Sequence, residues 1–235
     1  MCGRYAITSP PNALARLFSL GGPLLNLQPR YNAAPGQDLP IVRREAKGTR
    51  ELTLARWGLI PSWSKGPDSR FSMINARSDT VASKPAYRGP FRHKRCLVPA
   101  DGYFEWQALG REKQPYYISH QRGLVAFAGL WDCWMSPEGD EVVSFSVIVT
   151  DAAPAVSHIH PRMPVILPPE QFAPWLGEGD APPSVKELES LLSVPVGGQD
   201  LQFWPVSTAV NSPANDIPDV LAVIEPPGPG QGSLL

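Results

Sequence analysis

Apolar positions along this chain follow two rhythms. Behind Ser9-Pro10-Pro11, the residues Leu14, Leu17 and Phe18 recur at helical spacing. That predicts an amphipathic helix capped by Ser9, with proline tolerated in its first turn. Gly21-Gly22-Pro23 marks its end. Short runs rich in Val, Ile and aromatic residues follow at 39–43, 52–60, 95–99, 103–106, 116–120, 124–131, 142–150 and 164–167. Bounded by Gly, Pro and Asp, they read as strands. The segment SPEGDE at 136–141 is a turn between two of them. Helical spacing returns at 169–176 and 184–192, and Ser184 with Glu187 has the spacing of a capping box.

These spacings suit hairpins and meanders, and no β-α-β alternation is sustained. The expected fold is α+β: a single compact domain over residues 2–225, built on a curved, barrel-like, mainly antiparallel sheet flanked by short helices. Residues 226–235, PPGPGQGSLL, read as a disordered Pro/Gly-rich tail. With 28 Pro and 20 Gly in 235 residues, the chain is rich in turns without reaching the low-complexity range. Hydrophobic residues at 43% and charged residues at 18% exclude a disordered, highly charged chain. No apolar run reaches about 18 residues, which excludes a membrane-spanning helix. The start, MCGRYAIT, has neither the basic nor the apolar part of a signal peptide. A soluble intracellular protein is the expectation.

Charge is balanced in total but not along the chain. Between Arg43 and Arg95 there are thirteen Lys/Arg against four Asp/Glu, a local +9, whereas from Glu170 onward nine acidic residues face one Lys. Two ordinary solvated faces would explain this. So would a basic surface for a polyanion.

Four segments hold candidate chemistry. The first is Met1-Cys2-Gly3. An initiator methionine before a small residue is a substrate for removal, and Cys2 would then carry a free α-amine beside its thiol. Those groups titrate near 7.7–8.0 and about 8.5 in reference peptides, so reactive forms of both exist near pH 7. Together they can trap an aldehyde as a thiazolidine, or act as an N-terminal nucleophile on an amide. Position alone favours a cysteine without a special role. Cys96 and Cys133 lie within apolar runs and read as buried, inert thiols. Three widely spaced cysteines form no disulfide framework and no metal knuckle.

In the second segment, SMINARSDT, Asn75 and Arg77 share one face of an extended stretch, with Ile74 and Ala76 on the other. Arginine suits a phosphate, while an amide donates and accepts. A strand with one polar face is the plain alternative. The third, RCLVPADGYFEW, sets Glu105 between Phe104 and Trp106. Burial there would raise its pKa into the range of a general acid, whereas an edge-strand position would leave it in water. Asp101 in the Ala-Asp-Gly turn reads as structural. The fourth, SHIHPRMPVIL, holds His158 and His160 in extended backbone, with Arg162 beside them. As a metal pair they lack further ligands at recognisable spacing.

Together, MCGRY, INAR, the Gly-aromatic-aromatic-Glu-Trp after CLVPAD, and IHPRMPVIL resemble the SOS-response-associated peptidase (SRAP) family, the abasic-site processing proteins. RYNAAPG, RWGLIPSW and Trp204-Pro205-Val206-Ser207 extend the resemblance from Cys2 to about Asn215. It implies a compact α+β fold with a basic groove. It also implies a covalent thiazolidine between Cys2 and the ring-opened sugar of an abasic site in single-stranded DNA. Asn75 would position the N-terminal amine, Glu105 would assist ring opening and proton transfer, and His160 would be the second proton-transfer group, tied also to reversal. Arg4, Arg77 and Arg162 would contact phosphates, with Thr150 at a matching strand end. Pro40 and Trp63 would stack on or wedge against flanking bases.

The resemblance implies no metal, organic cofactor or membrane partner. It is compatible with a monomer acting on nucleoid-associated DNA in a bacterial cytoplasm. Two positions depart from the family pattern: Pro161, where an acidic residue is common, and Ser64, where some members carry a second tryptophan. The alternatives are a cysteine peptidase acting on its own N-terminus or on other peptides, and a noncovalent single-stranded-DNA binding module.

Overall fold

The computed structural model describes residues 2–22, 25–45, 48–67, 73–179, 181–193 and 198–225. In chain order its elements are β1 (Tyr5–Ile7), α1 (Pro11–Phe18), β2 (Arg30–Ala33), β3 (Asp38–Arg44), β4 (Arg50–Trp57), β5 (Asn75–Arg77), α2 (Arg88–His93), β6 (Arg95–Ala100), β7 (Gly102–Leu109), β8 (Glu112–His120), β9 (Val125–Met135), β10 (Glu141–Asp151), β11 (Arg162–Pro164), β12 (Ile166–Leu167), α3 (Phe172–Leu176), α4 (Val185–Leu192) and β13 (Leu201–Pro205).

Five of the strands close a barrel: β3 pairs with β4 and β6, β6 with β9, β9 with β10, and β10 with β4. The β10–β4 pairing is parallel and the others antiparallel, so the barrel is mixed. Along its length β10 also receives β5 in parallel and β11 antiparallel. A second sheet, wholly antiparallel, has the order β13-β8-β7-β1-β2. The α+β, barrel-like architecture expected from the sequence is the one found.

Aromatic rings join the two layers. Tyr5 of β1 meets Trp57 at 5.1 Å and Phe127 at 6.2 Å, and Tyr103 of β7 meets Phe127 at 6.0 Å, all edge to face. The other face of the second sheet packs Phe104 and Tyr117 with Val206, Val210 and Val220 in a smaller core. Alternation therefore turns Tyr103 and Glu105 toward the barrel and Phe104 away from it. Chain crossing from barrel to sheet occurs at Asp101-Gly102. A Cβ on Gly102 would lie 2.5 Å from the Tyr117 ring and 2.7 Å from the Ile118 carbonyl oxygen, so only glycine fits there.

Local departures from the sequence reading have physical reasons. Ser9 does not cap α1: Pro10 occupies that position without a side-chain bond. The Ser9 hydroxyl and N–H both donate to Asp101, as do those of Thr8, so this carboxylate competes successfully for the cap. The structural role read for Asp101 is borne out. The strand expected over 52–60 ends at Trp57, where Gly58 turns the chain with φ 128°. Cys133 is half-buried rather than enclosed, while Cys96 is fully buried. The capping box of α4 is present with both reciprocal bonds. Residues 226–235, expected to be a tail, lie outside the described residues.

Part of the basic segment is structural. Arg44 donates to the Gly177 carbonyl, and Arg50 grips Glu178 through two bonds of 2.7 and 2.8 Å. Arg95, buried, donates to the carbonyls of Phe91, Arg92 and Trp175. Burial lowers its pKa to about 10. These side chains tie the end of α3 to the barrel and to α2.

Candidate active site

β1 sets the position of Cys2. Tyr5 opposes Tyr103, and the Phe104 N–H donates to the Arg4 carbonyl at 3.0 Å. Continuing that antiparallel register brings residues 2 and 3 alongside Glu105. Asn75 approaches from the barrel. Its strand is fixed by two bonds to the Ile74 carbonyl, from the Trp57 indole and the Val147 N–H, both at 3.0 Å. The Tyr87 hydroxyl adds a third, donated to the Asn75 carbonyl at 3.1 Å. So held, Asn75 donates from Nδ2 to the Cys2 carbonyl at 2.8 Å. Among the described residues, its Oδ1 is buried and accepts no hydrogen bond.

Glu105 is 2% exposed, and burial raises its pKa from 4.5 to about 7. The solvent-facing alternative for this residue is therefore excluded. His160 stands with Nδ1 3.8 Å from the Glu105 carboxylate. That same nitrogen lies 3.0 Å from the Arg162 N–H and 3.1 Å from the Arg162 carbonyl oxygen, so the Arg162 backbone holds the ring whichever tautomer it takes. Burial lowers the basicity of the ring. The Cys2 thiol is enclosed, and its pKa is pushed well above the usual thiol value, first by burial and then by the Glu105 charge. Both effects favour the neutral thiol over the thiolate. Tyr5 and Tyr103 also border Cys2; no pattern in the sequence marks their hydroxyls, both buried and without a bond among the described residues.

A sequence profile described as SOS response associated peptidase (SRAP) matches residues 1–213. The chain belongs to the SRAP family. It is 37% identical over 225 residues to the abasic site processing protein YoqW of Bacillus subtilis, covering 94% of this chain and 99% of that protein. To the abasic site processing protein HMCES of Xenopus tropicalis it is 35% identical over 269 residues, covering 95% of this chain and 78% of that protein. Among solved structures, a protein from Bacteroides thetaiotaomicron superposes with a TM-score of 0.84 at 28% identity, over 95% of this chain and all of that one. A phage-related protein from Bordetella bronchiseptica gives 0.72 at 33% identity, over 88% of this chain and 95% of that one.

Around this SRAP site, the remaining candidate residues fall into three groups. Arg77, Thr150 and Arg162 gather at one end of β10, where Val149 opposes Arg77 and Asp151 opposes Arg162. Arg77 is exposed and pairs with Asp79, and Arg162 lies 3.5 Å from the exposed Asp151. Arg4 is directed inward: its guanidinium donates to Asn32 Oδ1 at 3.1 Å and to the carbonyls of Val210 and Asn211 at 2.7 and 3.0 Å. A phosphate at Arg4 would be limited to the remaining donors.

Trp63 is 68% exposed. It lines a surface cavity of about 360 Å³ with Arg88, Arg92, His93 and Lys94. Pro40 requires a correction. It is buried in β3 opposite Leu54, and an enclosed ring cannot stack on a base. Sequence reasoning also passed over Asn32, fully buried in RYNAAPG. Its Nδ2 group lies within 3.0–3.1 Å of three carbonyls, those of Val210, Ser212 and Asn215. With Arg4, it fastens the 208–215 turn behind the site.

Proposed function

We propose that this protein, once Met1 is removed, recognises an abasic site in single-stranded DNA and joins it covalently through Cys2. The reading is carried by one arrangement: an asparagine amide on the Cys2 backbone, with a carboxylate of near-neutral pKa alongside. The relatives named abasic site processing proteins support the substrate class.

An abasic sugar is a masked aldehyde, and opening its ring requires proton transfer that Glu105 and His160 supply. The free Cys2 amine adds to the aldehyde carbon, and Asn75 Oδ1 is an acceptor suited to orient it. Glu105 in its acid form protonates the departing hydroxyl, so water leaves and a carbon–nitrogen double bond forms. The Cys2 sulfur then adds to that carbon while its proton passes to nitrogen, closing the thiazolidine. Reversal runs the same transfers backward, with Glu105 and His160 exchanging protons with the ring nitrogen and sulfur. Arg77 and Arg162 hold the phosphates on either side.

A thiol kept neutral by burial argues for amine-first chemistry. A peptidase attacking by thiolate would need a depressed thiol pKa, opposite to the shift at Cys2. The test is a denaturing gel of the Met1-free protein with a labelled single strand carrying one abasic residue, beside an intact strand. A slow, heat-stable band with the abasic strand alone is expected. Its absence, or steady cleavage of peptides without DNA, would overturn the proposal.

A further inference from the structure

Beyond Glu105, the same face of the second sheet carries an aromatic row that the covalent chemistry does not use. Register across β7, β8 and β13 sets Glu105 opposite Tyr116 and Tyr116 opposite Pro205; one pair along, Tyr103 opposes Ile118 and Ile118 opposes Phe203. Directly opposed residues share a face, so Glu105, Tyr116 and Phe203 point to the same side. Burial falls toward the edge: Glu105 is enclosed, Tyr116 half-buried, and Phe203 38% exposed.

The Phe203 ring meets Tyr116 at 6.5 Å and the exposed His158 imidazole at 5.3 Å, the latter edge to face. His158 precedes His160 by two residues. The Gln107 amide donates to its carbonyl at 3.3 Å, which ties this segment to the sheet. The neighbouring Trp204 is committed elsewhere, its indole donating to the Leu221 carbonyl at 2.8 Å on the opposite face. Trp63 belongs to the barrel side: Ser62 and Ser64 are bonded to Asp132 and Trp134 of β9. Phe203 lies on the outermost strand of the other sheet.

An exposed ring at the end of a row leading to the site matches how single strands are held without base-pair readout. We propose that Phe203, with Tyr116 and His158, forms a stacking subsite for the base of a nucleotide next to the abasic residue, on the side away from Trp63. This rests on the proposed function, and the two are separable by experiment.

The probes are single strands with one reactive abasic residue in which the base on one side or the other is replaced by a base-less, unreactive spacer. Crosslinking rates below saturation and noncovalent affinities by fluorescence anisotropy are measured for wild type, Phe203→Ala, Phe203→Leu and Phe203→Trp. Loss of the base on one side only is expected to weaken wild type about tenfold. Phe203→Ala and Phe203→Leu should bind the full strand about that much more weakly and lose the discrimination, while Phe203→Trp retains it. A wild type indifferent to both spacers, or a Phe203→Ala protein that still discriminates fully, would overturn the subsite. A failure to crosslink any abasic strand would count against the proposed function alone, since the affinity comparison still decides the subsite.

Discussion

Replacing Cys2 by alanine is expected to abolish the heat-stable protein–DNA product while leaving the fold intact. The amine of residue 2 survives the change and can still condense with the aldehyde. What is lost is the sulfur that closes the ring, so the adduct stops at an imine that water reverses. Borohydride, a reductant, should therefore trap the Cys2→Ala adduct as a stable secondary amine, whereas wild type needs no reductant. The backbone contact that holds the residue uses the Cys2 carbonyl and is unaffected. The substitution removes one buried sulfur from a packed site, so a modest loss of stability is expected. A thermal melt separates that loss from lost chemistry. Heat-stable product from Cys2→Ala without reductant would contradict the role assigned to the thiol.

The second large effect is expected at Glu105. Glu105→Gln keeps the shape and removes the transferable proton, and should slow product formation by about 10²–10⁴-fold. Wild-type rates should decline above pH 7 as the acid form of Glu105 is lost, and the glutamine variant should lack that decline.

Stability provides an independent check. The folded pKa of about 7 lies above the ordinary 4.5, so the folded state holds this proton more tightly than the unfolded chain does. The contribution is fully present below pH 4.5 and is lost as pH rises through 7. It amounts to on the order of 3 kcal/mol for this buried group. Urea unfolding between pH 4.5 and 8 should show wild type losing that much relative to Glu105→Gln. Parallel curves for the two proteins would mean that Glu105 is not held as an acid.

Much of the architecture is legible in the sequence because burial imposes its period directly. The runs at 95–99, 124–131 and 142–150 alternate or stay apolar because they line a closed barrel, and all but Leu124 of these residues lie within barrel strands. Closure itself is not legible, since it depends on the parallel β10–β4 pairing between segments far apart in the chain. The four central residues were found through motif resemblance, and the structure brings Cys2, Asn75, Glu105 and His160 into one cluster.

Elsewhere local chemistry misleads. Ser9 has the right type and spacing for a cap, but Asp101, distant in sequence, takes its hydroxyl. Pro40 looks like an exposed ring and is covered by tertiary packing. Arg44, Arg50 and Arg95 contribute to a basic segment that reads as a polyanion surface, yet their donors serve carbonyls and a carboxylate inside the molecule. Which arginines face solvent is a property of long-range partners, and no window of sequence contains it. Phe203 and Trp204 are adjacent aromatics of similar character, and only the sheet decides that one is committed to the smaller core and the other exposed.

The central claim is that Cys2 reacts through both its amine and its sulfur, and intact mass spectrometry of the adduct tests it most directly. After denaturation, the heated adduct is alkylated at its free thiols beside unreacted protein. The expected mass is that of the chain lacking Met1 plus the abasic strand less one water. Since Cys2, Cys96 and Cys133 are the free cysteines, the adduct should take up two alkyl groups where unreacted protein takes three. An adduct that keeps Met1, retains the water or takes up all three alkyl groups would contradict the thiazolidine.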